Sequence, residues 1–273
     1  MLGKLIKHEF HASAHSVMNI YIAAVVTLAV MLLSYAVKVT WVGVIGSIAL
    51  IVIGLICVVI TLVAVVTNFN RTLYGAEGYL SYTLPVKSSA LLASKAIVSF
   101  VWVLLSYLFM IATFFIVFAY VQSSIGEEVG SMVDMMIATV GLPSLAAIGK
   151  ALAILAVGMF IQIAVFVAAV FFAVTISNIR PFQRFGIFSA LATFFLIYLI
   201  MQGLLYVATS YVPLTVVIDT AGKIAVSFTT SMAATGAQQG MVIGVAGFVI
   251  ELLIAAGLFA ATNALMKTRV NIK

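Results

Sequence analysis

Apolar residues run through this chain in long blocks, with neither the alternation of a half-buried strand nor the narrow stripe of a surface helix. Six blocks stand out, near Val17 to Val37, Val42 to Thr67, Ala96 to Val121, Ala151 to Ser177, Phe185 to Val207 and Met241 to Met266. A helix rises about 1.5 Å per residue, so roughly 20 apolar residues cross a hydrocarbon core about 30 Å thick. The pattern predicts an all-α, polytopic membrane protein with six transmembrane helices. Pro85, Pro143, Pro181 and Pro213 all fall between the blocks, where a missing backbone N–H costs little.

Charge sets the orientation. With the N-terminus in the cytoplasm, the inner segments collect Lys4, Lys7, Arg71, Lys87, Lys95, Arg180, Arg184, Lys267, Arg269 and Lys273, and only Lys38, Lys150 and Lys223 remain outside. Translocation of Lys and Arg is disfavoured, so both termini are placed in the cytoplasm. Glu127, Glu128, Asp134 and Asp219 fall outside. Charged residues make up 7% of the chain and hydrophobic ones 65%, against about 25% charged in a soluble domain, which excludes a sizeable water-soluble domain and leaves one membrane domain, 1–273. The net charge of +6 is scattered over short loops at one face; this favours anionic lipid or a cytosolic partner over nucleic acid. Cys57, the single cysteine, lies within a block and is read as packing. The first block is too long for a signal-peptide core and lacks a small-residue cleavage site, so it is expected to stay as an anchor.

Ahead of it, residues 1–16 place Leu2, Leu5, Ile6 and Phe10 on one helical face, with Lys4, Lys7, His8 and His11 largely elsewhere. That predicts an interfacial elbow helix. His8, His11 and His15 at spacings of three and four raise a metal site. The second His arrives one residue too early for H-E-x-x-H, no Cys is near, and Glu9 points off the His face; the polar side of an interfacial helix is preferred.

The segment 68–95, expected on the cytoplasmic side, mixes Tyr74, Tyr79 and Tyr82 with Arg71, Glu77 and Lys87 and is punctuated by Gly75, Gly78 and Pro85. Such a composition builds either a short helix presented from the membrane surface or a solvated loop that merely reverses the chain. Ser88 is a candidate N-cap for the turn leading through Leu91 and Leu92 into the third span. The run Leu73-Tyr-Gly-Ala-Glu-Gly-Tyr-Leu80, followed by Thr83-Leu-Pro-Val86 and Ser94-Lys95, resembles the loop after the second span of ABC-2 type permeases, the transmembrane subunits of bacterial ABC exporters. Many members carry an acid where this chain has Ala76. The resemblance implies a plasma (inner) membrane protein that pairs with a second permease, identical or related, and with cytosolic ATPase subunits. It makes 68–95 the coupling loop, with Tyr74, Glu77, Tyr79 and Leu80 at the ATPase contact. No G-x-x-x-x-G-K-[ST] run is present, and Gly222-Lys223 is followed by Ile224. ATP and Mg are therefore expected on the partner, with no cofactor in this chain.

Two outer segments exceed what connection needs, Gln122 to Lys150 and Ala208 to Gly240. The resemblance implies that 208–240 forms short re-entrant helices before the last span. Within the blocks, Glu251 is expected near the middle of the last span, where a charge costs about 2.5 to 3.5 kcal/mol. Gly240, Gly244, Gly247, Glu251 and Ala255 recur at three and four residues, so the acid shares a face with small residues that permit close helix contact. Gln162 and Gln202 are its candidate hydrogen-bond partners, and direct proton or ion handling is the alternative. Gly43, Ser47, Gly54 and Thr61 form a second narrow stripe, suited to packing against another helix or another subunit.

The expectation is an export permease for an amphipathic or hydrophobic substrate such as a peptide. Its rival is a self-contained transporter or channel using Glu251 as a proton or ion site, against which no pair of interrupted spans is visible. An intramembrane enzyme is disfavoured, because all three His residues lie in the N-terminal segment and the acids are dispersed.

Overall fold

The computed structural model describes residues 2–36, 40–75, 78, 87–125, 145–219, 223–230 and 240–268. They divide into two compact units, one of residues 1–125 with 265–273 and one of residues 126–264.

In the first unit, α1 (Leu2–Ala36), α2 (Thr40–Tyr74) and α3 (Ser88–Ile125) pack together. The expected elbow and first span are one uninterrupted helix. No Gly or Pro lies between Gly3 and Thr40 to break it, and a helix without such residues runs on. Met31, Leu50 and Val117 form one buried cluster, whereas Ile6, Ala64, Val98 and Trp102 meet in another. The two clusters show α1 and α3 running parallel and α2 antiparallel to both. The helical rise from Lys95 to Val117 in α3 is about 33 Å, close to one hydrocarbon thickness.

The small-residue stripe of α2 packs inside the chain, not across a subunit boundary. The Gly43 α-carbon lies under the Tyr120 side chain, a β-carbon on Gly54 would sit 3.0 Å from Thr113 Oγ1, and Thr61 is fully buried. Thr61 and Ser106 are hydrogen-bonded at 2.7 Å, and Tyr21 reaches the same Ser106 hydroxyl at 2.8 Å, so one polar contact joins all three helices.

The second unit holds α4 (Leu145–Ser177), a 3-10 turn at Gln183–Phe185, α5 (Ile187–Tyr211), a three-stranded sheet and all but the last turn of α6 (Ala246–Thr268). Gly186 joins the 3-10 turn to α5 at φ 53°, a conformation that suits glycine alone. Val212, extended before Pro213, ends α5 because a residue ahead of proline avoids helical angles.

Strands β1 (Thr215–Asp219), β2 (Ile224–Ser227) and β3 (Gly240–Gly244) form an antiparallel sheet in the order β2-β1-β3, with Thr215 opposite Ser227 and Gly244. Within 208–240, residues 215–219 and 224–227 are therefore strand where re-entrant helix was expected, in a fold that is otherwise predominantly helical. Thr215-Val-Val-Ile218 is a β-branched run, which sits well on a pleated surface and poorly in a helix. Ile218 and Ile243 bury the sheet against Ala151 of α4.

Among the described residues five helices are long and apolar enough to cross a membrane: α2 to α6. The described apolar run of α1, Tyr21–Leu33, is shorter. Side chains such as Phe188, Leu191 and Phe195 of α5 are 59 to 76% exposed. Water would not tolerate so broad an apolar face, and lipid would. The chain is a multi-pass helical membrane protein.

Candidate functional site

Leu91, Lys95, Val98 and Trp102 recur at spacings of four, three and four along α3, so they share one face. All four are buried, Val98 and Trp102 against α1 and α2, and Lys95 is carried into the core by its apolar neighbours. A buried ammonium is stable only when paired. Lys95 Nζ donates to Glu9 Oε1 of α1 at 2.5 Å and to Thr72 Oγ1 of α2 at 2.7 Å, with side-chain exposures of 2% for Lys95 and 13% for Glu9. Asn68 Nδ2 donates to the other Glu9 oxygen at 3.4 Å, and Thr72 Oγ1 donates to the Asn68 carbonyl at 2.6 Å.

One turn further along α1, Ser13 Oγ donates to the Glu9 carbonyl at 2.8 Å and accepts from Trp102 Nε1 at 2.8 Å. The Phe10 ring stacks on Trp102 with centroids 4.7 Å apart. Glu9, Ser13, Asn68, Lys95, Ser99 and Trp102 line a small crevice between the helices. The cluster joins α1 to the last turns of α2 and the first turns of α3, the two helices that bracket residues 75–87.

The near edge of that segment is itself folded back on α2. Gly75 N–H donates to the Asn70 carbonyl at 3.0 Å and Gly78 N–H to the Gly75 carbonyl at 2.8 Å. A β-carbon on Gly75 would lie 2.7 Å from the Arg71 carbonyl oxygen, and one on Gly78 would lie 2.6 Å from that of Leu73. Backbone cannot yield at such distances, so both positions require glycine. At the far edge the Lys87 carbonyl accepts from Ala90 and Leu91. Lys87 therefore holds the backbone cap position expected for Ser88.

The candidate coupling residues fare differently. Tyr74 is buried, with its ring edge-on to Phe69 at 5.9 Å; it is part of the α2 core and not a surface contact, because the helix continues through it. Glu77, Tyr79 and Leu80 lie outside the described residues. His8 and His11 are exposed on α1. Sequence reasoning missed Glu9 and Lys95, treating one as off-face and the other as a loop cation. The signal was present: Lys95 occupies an apolar stripe, and Glu9 is the sole acid ahead of Glu77.

In the second unit Glu251 is buried, but it lies in the second turn of α6 and not at mid-span, because α6 begins at Ala246 and Gly240 and Gly244 belong to β3. The small-residue face thus reduces to Gly247, Glu251 and Ala255. Gly247 rests against Thr209 and Leu205 of α5, and Ala255 joins Val165, Ala168 and Met201. Gln162 and Gln202 are both exposed on α4 and α5 and do not reach the acid. Among the described residues no side chain hydrogen-bonds Glu251.

No family model, no curated protein and no solved structure matches this chain.

Proposed function

We propose that this chain is the six-span permease subunit of an ATP-driven exporter in a bacterial plasma membrane, with both termini cytoplasmic. It works with a second permease, identical or related, and with separate ATP-binding subunits. The observation that carries this reading is how the described edges of the 75–87 segment, Gly75, Gly78 and Lys87, are held. The segment whose residues resemble a coupling loop is bracketed by two helices that share a buried ammonium, and its first turn is locked by two obligatory glycines. A loop that merely reversed the chain would need neither. Force applied to a loop so mounted passes into α1, α2 and α3 together, which is what transmission from an ATPase requires. Glu77 and Tyr79 are the side chains assigned to that contact. The largely apolar helices favour an amphipathic or hydrophobic substrate such as a peptide.

Purification of the tagged chain from its native membrane in mild detergent tests the assignment. An ATPase with a phosphate-binding loop is expected in the complex, and ATP hydrolysis should follow the chain through size exclusion. Substrate transport by the chain alone in proteoliposomes, driven by a proton gradient, would contradict it. That outcome would favour the second reading, a self-contained transporter, which the buried Glu251 carboxyl supports.

A further inference from the structure

We infer that the turn between α4 and α5 binds anionic phospholipid head groups, with Arg180 and Arg184 taking the phosphate and Phe182, Phe185 and Phe188 seated among the upper acyl chains. The run is Arg180-Pro-Phe-Gln-Arg-Phe-Gly-Ile-Phe188. Its shape is set locally: the Phe182 and Gln183 N–H groups both donate to the Ile179 carbonyl, at 2.9 and 3.1 Å, and Gln183 Nε2 donates to the Asn178 carbonyl at 2.8 Å. No residue of the 3-10 turn is buried, so packing within the chain does not account for its rings. Phe182, Phe185 and Phe188 are 44, 66 and 76% exposed, and the first two, three residues apart in 3-10 geometry, share a face. Helix α4 ends at Ser177 and α5 starts at Ile187, and both are long enough to span, which puts the turn at the boundary between hydrocarbon and head groups. Exposed rings are stable there and costly in water. The arginines decide which lipid. No Asp or Glu stands between Asp134 and Asp219, and among the described residues neither guanidinium has an ion-pair partner; both side chains are exposed. A guanidinium binds phosphate through paired N–H donors. Two of them, four residues apart, favour a head group of net negative charge over a zwitterionic one, whose own cation cancels the attraction.

Such a site is independent of the permease reading and needs no ATPase to test. The full chain is placed in phosphatidylcholine nanodiscs with a trace of photoreactive phosphatidylglycerol or of photoreactive phosphatidylcholine, and the adducts are mapped by mass spectrometry. At residues 178–188 the anionic probe is expected to exceed the zwitterionic one by about tenfold or more, and Arg180→Gln or Arg184→Gln to cut that excess about fivefold each. Phe182→Ser/Phe185→Ser should lower both probes alike, and adducts on the exposed α5 side chains Leu196 and Leu199 should show no preference. Salt at roughly 1 M should bring the excess toward unity in the parent chain, an arm that serves where an arginine variant does not insert. Equal yields from the two probes at 178–188, or an excess unmoved by both arginine changes or by salt, overturns the assignment. So does an excess no larger than that beside Lys267, at 262–268, which would mark only the field of the whole chain.

Discussion

The ring of Phe248 rests directly on the α-carbon of Gly158: a β-carbon built there would sit 2.8 Å from two ring carbons. The contact seats the first turn of α6 against α4 beside the buried face of the sheet. Gly158→Ala is expected to overpack this site and cost about 1 to 3 kcal/mol. Phe248→Leu in the same chain should recover part of the loss, because the smaller side chain vacates the space. Thermal unfolding in detergent checks both; a neutral Gly158→Ala would show that α4 and α6 are not in close contact here.

The spans were legible because a bilayer imposes a length on apolar runs, and α2 to α5 run through the blocks read for them. The sheet was not, since Thr215-Val-Val-Ile218 stood in a segment assigned by resemblance to helices; its β-branched run was the local clue. Glu251 was found as a buried acid but misplaced along α6, because apolar strand β3 and apolar helix α6 read as one block. The Glu9 and Lys95 pair links positions far apart in sequence, and only packing shows which acid meets which base. Tyr74 looked like a loop residue because Gly75 follows it, yet α2 does not end before it.

Trp102 gives a second prediction. Trp102→Phe keeps the stack with Phe10 and removes the donor to Ser13, so a loss of about 0.5 to 1.5 kcal/mol is expected. Phe10→Ala removes the stack, worth a similar amount beyond its buried area. Phe10→Ala combined with Trp102→Leu, which also removes the stack, should be non-additive, since the residues touch. Additive losses in a double-mutant cycle would show that Phe10 and Trp102 act independently.

Glu251 separates structure from ion chemistry. Glu251→Gln keeps size and hydrogen-bonding capacity, so near-normal amount and assembly are expected and, on the proposed permease reading, near-normal export. Glu251→Leu should likewise fold, because no described side chain depends on the carboxyl. Loss of export in Glu251→Gln with amount and ATP hydrolysis preserved would mark a titrating group, and export measured against pH would then identify the proton exchanged.

Orientation is tested by single cysteines at Ser81, Ser123 and Ala221 in a Cys57→Ala background, probed with an impermeant thiol reagent. In intact cells the second and third should label and the first only after permeabilisation. Labelling at Ser81 in intact cells would invert the topology.

The coupling assignment faces its most direct test at Glu77. A photoreactive amino acid placed there in the native host, irradiated in cells and followed by mass spectrometry of the adduct, reports what the segment touches. A crosslink to an ATP-binding protein is expected, its yield changing when ATP hydrolysis is blocked. A chain that inserts and purifies normally, yet crosslinks at this position only to lipid or to itself, contradicts the account.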